Sequence, residues 1–391
     1  MLKRLLLIIF LAIIGYYLLG FTLLYFGKIK SLPVFFNKVL KASSNEGTID
    51  LSKASADGPY VFYMDSLVVV KNLREYRSVI TLDSAIYKKN DSMRLSCQVE
   101  EDSFGFRLKP VLAIENCVYQ APSKLFAISD IEGHFKAFRT VLQGNNIIDS
   151  ALNWSFGDGH LVLLGDFFDR GLYVTETLWL IYKLEAEAEK KGGKVHFILG
   201  NHEMMNLYGN DKYVRKKYKE NLSYLNESHT SLFSSETEIG RWLRTKNVIE
   251  KIGSTIFVHG GISVEIAESG LSLQEINHLA RQNIGIRPDA VKGKQAGLVT
   301  SGKTGPYWYR GLVNEEVDKN EMDAILRFAD ARRIVVGHTL VDDIRLLYGG
   351  KVIAIDLHHE DNFKKGIMKA LWMENEKVFL TDIEGKKRPL P

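Results

Sequence analysis

The chain has 391 residues, of which 46% are hydrophobic, and a formal net charge of +4. That length and apolar content exclude a disordered chain and a small disulfide-stapled scaffold, and they predict about two domains. The mild charge, with no basic stripe interleaved with aromatics, gives no reason to expect a nucleic-acid partner.

The amino terminus opens with a basic tip, residues 1–4, followed by residues 5–27, which carry no charge and are almost all aliphatic or aromatic. As a helix this stretch spans about 34 Å, enough for the hydrocarbon core of a bilayer. It is too long for a signal-peptide core, and Lys28 and Lys30 follow directly, so an uncleaved transmembrane anchor is expected, with the lipid bilayer as partner. Lys28, Lys30, Lys38 and Lys41 outnumber Lys3 and Arg4, a count that alone would place the body in the cytoplasm. A short basic tip before an apolar stretch instead resembles an export signal. The reading leans to a single-pass protein of a bacterial inner membrane with a periplasmic body. Cys97 and Cys117, the only cysteines, could form one bridge or remain reduced core residues.

Residues 28–59 are rich in Ser, Asn and Lys and read as a tether. Residues 60–120 change to short β-type runs, Tyr60–Met64, Leu67–Val70, Val79–Leu82, Met93–Val99 and Val111–Val118, with polar breaks at Lys88–Ser92 and Glu101–Ser103. They predict a small β-rich module or an added sheet layer. From residue 121 to 391 strand and helix patterns alternate, which argues α/β. Helices are expected at Lys136–Gln143, stopped by Gly144, and at Val174–Lys191, closed by Gly192-Gly193. Leu271–Asn283 and Asn320–Arg332 read as amphipathic helices, and residues 206–250 as an insertion capping a cleft.

Within that alternation, six apolar runs end in a side chain able to hold a metal. Leu125–Ser129 leads to Asp130-Ile131-Glu132-Gly133-His134. Leu161–Leu164 leads to Gly165-Asp166-Phe167-Phe168-Asp169-Arg170-Gly171, and Val195–Leu199 to Gly200-Asn201-His202-Glu203. Thr255–Val258 leads to His259-Gly260-Gly261, Arg333–Val336 to Gly337-His338-Thr339, and Lys351–Ile355 to Asp356. Open α/β sheets build sites at the carboxyl ends of their strands, and such a cluster becomes tolerable to desolvate when cations sit within it. Singly, each residue has an ordinary reading: Asn201 as a cap, His259 and His338 as core or turn histidines, Asp356 as a strand cap or a residue near the metals, His358 and His359 as surface residues. The ordered set is what argues for a site.

These motifs, in this order, resemble the calcineurin-like metallophosphoesterases, specifically the phosphoprotein phosphatase branch and the Shewanella-like phosphatases. Gly240-Arg241-Trp242-Leu243-Arg244 and Trp308-Tyr309-Arg310-Gly311 add to the resemblance, which covers roughly residues 121–388. It implies two β-sheets packed face to face with helices outside, and two divalent cations sharing Asp166 as bridge with a hydroxide between them. Asp130 and Glu132 would complete the first cation; Asn201, His259 and His338 the second. Arg170 and Arg310 would clamp phosphate through their guanidinium forks. His202 would protonate the departing oxygen, with Asp169 holding its ring.

One departure matters. The family's first motif is usually Asp-x-His-Gly, and here the histidine position holds Glu132. A carboxylate can ligate and favours manganese or magnesium over iron or zinc; alternatively His134 supplies the missing imidazole. The expected activity is hydrolysis of phosphate monoesters, on a phosphoprotein or a small molecule. The alternatives are a dinucleoside polyphosphate or other diphosphate-linkage hydrolase, and an inactive membrane-tethered binding module. The basic run Lys212, Arg215, Lys216, Lys217 and Lys219 reads as a solvated helix face or as attraction for an anionic substrate.

Overall fold

In the computed structural model the described residues are 54–77, 79–89 and 93–390. The expected anchor at residues 5–27, and residues 28–53 of the expected tether 28–59, lie outside them; the end of that tether is already strand from Asp57. Among the described residues no helix is long and apolar enough to cross a membrane.

The first strands, β1 (Asp57–Met64), β2 (Leu67–Tyr76) and β3 (Val79–Lys88), form an antiparallel sheet. Next to it β4 (Arg94–Val99) pairs with β5 (Asp102–Arg107). β5 falls where the sequence suggested a polar break. Its charged ends face water while Phe104 and Phe106 alternate into the core, the period-two pattern of a half-buried strand. The expected strand Val111–Val118 shrinks to β6 (Val118–Tyr119). Its leading part runs past Pro110 and satisfies its backbone elsewhere: Glu115 N donates to Thr245 O, and Asn116 O accepts from Asn247 Nδ2.

Two six-stranded sheets make the body. One runs β17 (Lys387–Pro389), β16 (Lys377–Asp382), β15 (Lys369–Glu374), β7 (Lys124–Ile128), β8 (His160–Leu163) and β9 (Lys194–Phe197). The other runs β13 (Arg345–Leu347), β14 (Val352–Ala354), β12 (Arg333–Val336), β11 (Thr255–Val258), β10 (Ile249–Ile252) and β6. β7, β8 and β9 are mutually parallel, as are β11, β12 and β14. Their side chains are buried on both faces, so they read as continuous apolar runs. The parallel strands of each sheet therefore present their carboxyl ends together.

Helix α1 (Phe135–Gly144) follows β7, and α2 (Val174–Glu189) follows β8. α2 is buried almost all round because it packs on β9 from one side while β1, β4 and β5 cover the other. Trp179 stacks on Phe106 with centroids 4.4 Å apart and donates to Pro59 O at 2.8 Å. The two amphipathic helices expected near the carboxyl half are Leu273–Gln282 and Lys319–Phe328. Ser272 caps the first with Glu275, and Asp318 caps the second with Glu321. Cys97 and Cys117 are free and buried; Cys97 Sγ donates to Gly58 O.

Candidate metal centre and its cleft

The carboxyl ends of β7, β8, β9, β12 and β14 line one cleft of about 840 Å³, with His259 at the end of β11 buried behind it. The chain leaves those strands by abrupt turns. Asp130, Glu132, Asp166, Asp169, Arg170 and His338 all have φ between 50° and 69°, a left-handed conformation that costs a non-glycine residue roughly 1–2 kcal/mol. Six such residues around one cleft are a concentration that packing alone does not require. Two glycines are imposed by close approach. A Cβ on Gly200 would lie 2.3 Å from Asp166 Oδ1, and one on Gly337 would lie 2.7 Å from Asp130 Oδ2.

At the centre, one donor atom each of Asp166, His259 and His338 lies within 4.8 Å of the others. His259 Nε2 is 3.1 Å from Asp166 Oδ2 and 3.0 Å from Asn201 Oδ1. Its Nδ1 is 2.6 Å from Leu164 O, so that nitrogen carries a proton and Nε2 is the atom turned to the site. His338 is the mirror case: Nε2 lies 3.0 Å from Trp308 O, and Nδ1 faces the Arg310 guanidinium, 3.5 Å from Nη2. The His338 backbone N–H donates to Asp130 Oδ2 at 3.1 Å, tying the end of β12 to the end of β7.

Electrostatics explain why these donors suit a cation. Burial, reinforced by the charge of Asp166, raises the Asp130 carboxyl to about 6. Burial also works against Asp166, but His259 and His202 hold it below the usual carboxylate range. For His259 burial favours the neutral ring, and Asp166 overcomes it to lift the imidazole to about 10. His338 is pushed down to about 2 by burial and by the neighbouring His259. Asp356 is raised well above its ordinary value by burial and by Asp130. Protons thus stand where divalent cations would relieve the repulsion, and the oxygen and nitrogen donors fit such ions.

Beside this group, His202 Nδ1 is 2.6 Å from Asp169 Oδ2, and His202 Nε2 is 3.8 Å from Asp166 Oδ2. The His202 ring is shifted upward despite its burial, by Asp166 and Asp169. Arg310 Nη1 donates to His338 O at 2.6 Å and to Thr339 Oγ1 at 3.3 Å, and its guanidinium lines the cleft. Arg170 lines it too, lies over the Tyr213 ring at 5.2 Å and forms an ion pair with Glu132.

Glu132 therefore faces the cleft with its carboxylate on a guanidinium, outside the close donor group. His134 Nε2 points to Glu360 Oε2 at 3.4 Å. Of the basic run, Arg215 and Lys216 line the cleft, while Lys217 donates to Leu172 O and Lys219 pairs with Asp211. Arg244 holds Phe233 O and Gly240 O, each at 2.7 Å, in the fold of the insertion. The surface expectation for His359 is overturned. Only 3% of it is exposed, because the turn after β14 folds its ring inward against the cleft floor, while His358 remains exposed.

Sequence reasoning gave no role to three residues that hold the machinery. Glu203 accepts from the N–H groups of Gly200 (2.7 Å), Asp166 (2.8 Å) and Phe167 (2.8 Å), locking the turns after β8 and β9 together. It stands in the first turn of the helix that Gly200 opens and reaches back to the Gly200 N–H, a placement of glutamate that could have flagged it. Asn206 donates to Asp169 Oδ1 at 3.0 Å, one helical turn beyond His202. Trp308 supplies its carbonyl, which no side-chain pattern announces.

Residues 123–342, more than half of the chain, match the family model of calcineurin-like phosphoesterases. Shewanella-like protein phosphatase 1 of Plasmodium berghei is 32% identical over 225 residues; the match covers 55% of this chain and 61% of that protein, short of two thirds of its length. Shewanella-like protein phosphatase 2 of Arabidopsis thaliana is 27% identical, covering 65% and 75%. Among solved structures, the cold-active protein-tyrosine phosphatase of a psychrophilic Shewanella species is 33% identical with a TM-score of 0.77, covering 86% of this chain and all of that one. Asp166, Asn201, His259 and His338 are thus assembled in a chain that belongs to the calcineurin-like phosphoesterases, hydrolases of phosphate ester bonds.

Proposed function

We propose that this protein is a two-cation phosphomonoesterase acting on phosphoproteins or small phosphate esters, tethered to a bilayer by residues 5–27. The observation that carries the chemistry is the contact of two units: the buried Asp166–His259–His338 donors and the His202–Asp169 pair beside them. The names of its relatives, protein phosphatases and a protein-tyrosine phosphatase, favour a phosphomonoester over a diphosphate linkage.

Asp130, with Glu132 as the third ligand suggested by its position, would hold the first cation. Asn201, His259 and His338 would hold the second, and Asp166 would serve both. Divalent ions there would polarise the phosphoryl oxygens and acidify the attacking water. Arg310 and Arg170 would orient the phosphate at the cleft rim. His202, protonated and steered by Asp169, would give its proton to the leaving oxygen. Its Nε2 faces Asp166 and the cleft, while Nδ1 is committed to Asp169, so the ring has one free edge for that transfer.

Manganese and magnesium are the preferred metals, and the anchor lies on the uncharged residues 5–27. A panel of phosphopeptides, nitrophenyl phosphate and dinucleoside polyphosphates, assayed with added manganese, tests the reading. Turnover confined to dinucleoside polyphosphates would replace it, and an Asp166→Asn protein matching wild type on every substrate would refute it. Protease protection in intact cells and spheroplasts tests the tether and the side of the body.

A further inference from the structure

Asp356, the sixth of the strand-end residues, has a place in this site beyond a strand cap. Ala354 pairs in register with Val336, and Val336 with Val258, so β14, β12 and β11 end side by side. Ile355 N donates to Val336 O at 2.9 Å, continuing the ladder to the last residue before Asp356. Asp356 therefore follows β14 by the same two residues that separate His338 from the end of β12. Its carbonyl accepts from Val341 N, which pins the backbone on the outer side.

The side chain turns into the cleft lined by Asp130, Asp166 and His338. Asp356 is 6% exposed, yet its carboxylate makes no hydrogen bond and no ion pair with any described residue. A carboxylate on a residue this buried, open to the cleft and left without a donor, is a place for a cation to bind. Asp130 lines the same cleft, with its Oδ2 held by the His338 N–H at 3.1 Å. Position 132 offers no imidazole, and the Glu132 carboxylate is already taken by Arg170.

We propose that Asp356 is a ligand of the first divalent cation, filling the role of the imidazole absent at position 132, while Glu132 remains the partner of Arg170. This rests on the two-cation reading above and amends its first ligand set. With Asp130, Asp166 and Asp356 the first site is all carboxylate, the donor set of a hard ion such as manganese or magnesium. Glu132 then serves the phosphate side of the cleft by fixing the guanidinium that meets the substrate.

The test reads ligation directly. Asp356→Cys loaded with Co²⁺ should gain a thiolate-to-cobalt charge-transfer band in the near ultraviolet. Wild type should lack it, since Cys97 and Cys117 do not line the cleft. Calorimetric titration with Mn²⁺ gives a second arm. Asp356→Asn should weaken one of two ions by about tenfold or more and spare the other, whereas Glu132→Gln should leave both affinities close to wild type. Two Co²⁺ bound to Asp356→Cys without the band would overturn the proposal, as would unchanged affinity in Asp356→Asn or an equal loss in Glu132→Gln. Wild-type protein that binds no Mn²⁺ would instead refute the two-cation reading itself.

Discussion

His202 Nδ1 lies 2.6 Å from Asp169 Oδ2, and Asn206 donates to the other oxygen of that carboxylate at 3.0 Å. The ring is thereby fixed in one tautomer, with Nε2 toward the cleft. General-acid assistance of this kind is worth about 10²–10⁴ in rate. His202→Asn should therefore lower kcat on an alkyl phosphate by that range. The loss should be much smaller on nitrophenyl phosphate, whose leaving group needs no proton. Equal losses on the two substrates would show that His202 acts otherwise.

The same pair sets a pH limit. An acid must be protonated to act, so kcat should fall as pH rises through the His202 pKa. Burial lowers that pKa, and Asp166 and Asp169 more than reverse it. Asp169→Asn removes one of the two raising charges, so the alkaline limb of the kcat profile should move to lower pH. An unmoved limb would assign it to another group.

Arg310 reaches the cleft while holding His338 O and Thr339 Oγ1. Lysine keeps the charge but not the planar fork. Arg310→Lys should raise KM for phosphate esters and weaken competitive inhibition by inorganic phosphate, with a smaller effect on kcat. Steady-state kinetics with phosphate as inhibitor give both numbers.

Gly200 sits where the turns after β8 and β9 meet. A methyl there would stand 2.3 Å from Asp166 Oδ1 and 2.7 Å from Asp166 N, against backbone that Glu203 has already locked. Forcing such overlap costs roughly 1–3 kcal/mol. Gly200→Ala should lose that much stability by denaturant titration, and activity should fall further because the displaced group is the shared carboxylate. Gly297→Ala provides the control, since it lies within the helix Lys294–Thr300 and its Cβ would meet nothing within 4 Å.

The strand ends were legible because each is a fully buried parallel strand, which reads as an unbroken apolar run, followed by a polar residue that packing does not explain. The parallel strands β7, β8, β9, β11 and β12 all fit this pattern. Less legible was what depends on a partner far along the chain. β5 hides its strand character because its polar residues face water and only Phe104 and Phe106 betray it. Glu132 reads as a ligand by position, yet its neighbour in space is Arg170, and Asp356 reads equally as a strand cap or a residue near the metals, although its carboxylate has no donor among the described residues. His259 and His338 could be named from the sequence, but which nitrogen each offers follows from Leu164 O and Trp308 O.

Lys246 is buried to 1% and ion-paired to both Glu115 and Glu185; Lys109 Nζ lies 2.5 Å from Glu185, and Trp242 Nε1 donates to it at 2.8 Å. This cluster joins the segment before β6, α2 and the approach to β10, so it ties the β-rich region to the insertion. Burial alone would raise the Glu185 carboxyl, but Lys246 and Lys109 bring it down to about 2. Its folded pKa is thus below its unfolded one, so its stabilising effect is present above the ordinary value of 4.5 and fades as pH falls toward 2. Lys246→Met leaves two carboxylates short of a cation, and breaking a buried pair on one side costs about 3–5 kcal/mol. Because that cost arises from charge on Glu185, it should shrink as pH drops below 4.5 and that carboxyl approaches neutrality. Adding Glu185→Gln should recover part of the loss at neutral pH. Denaturant unfolding of the three proteins between neutral and acid pH measures this, and a gap between Lys246→Met and wild type that stays constant with pH would mean lost packing, not unpaired charge, is responsible.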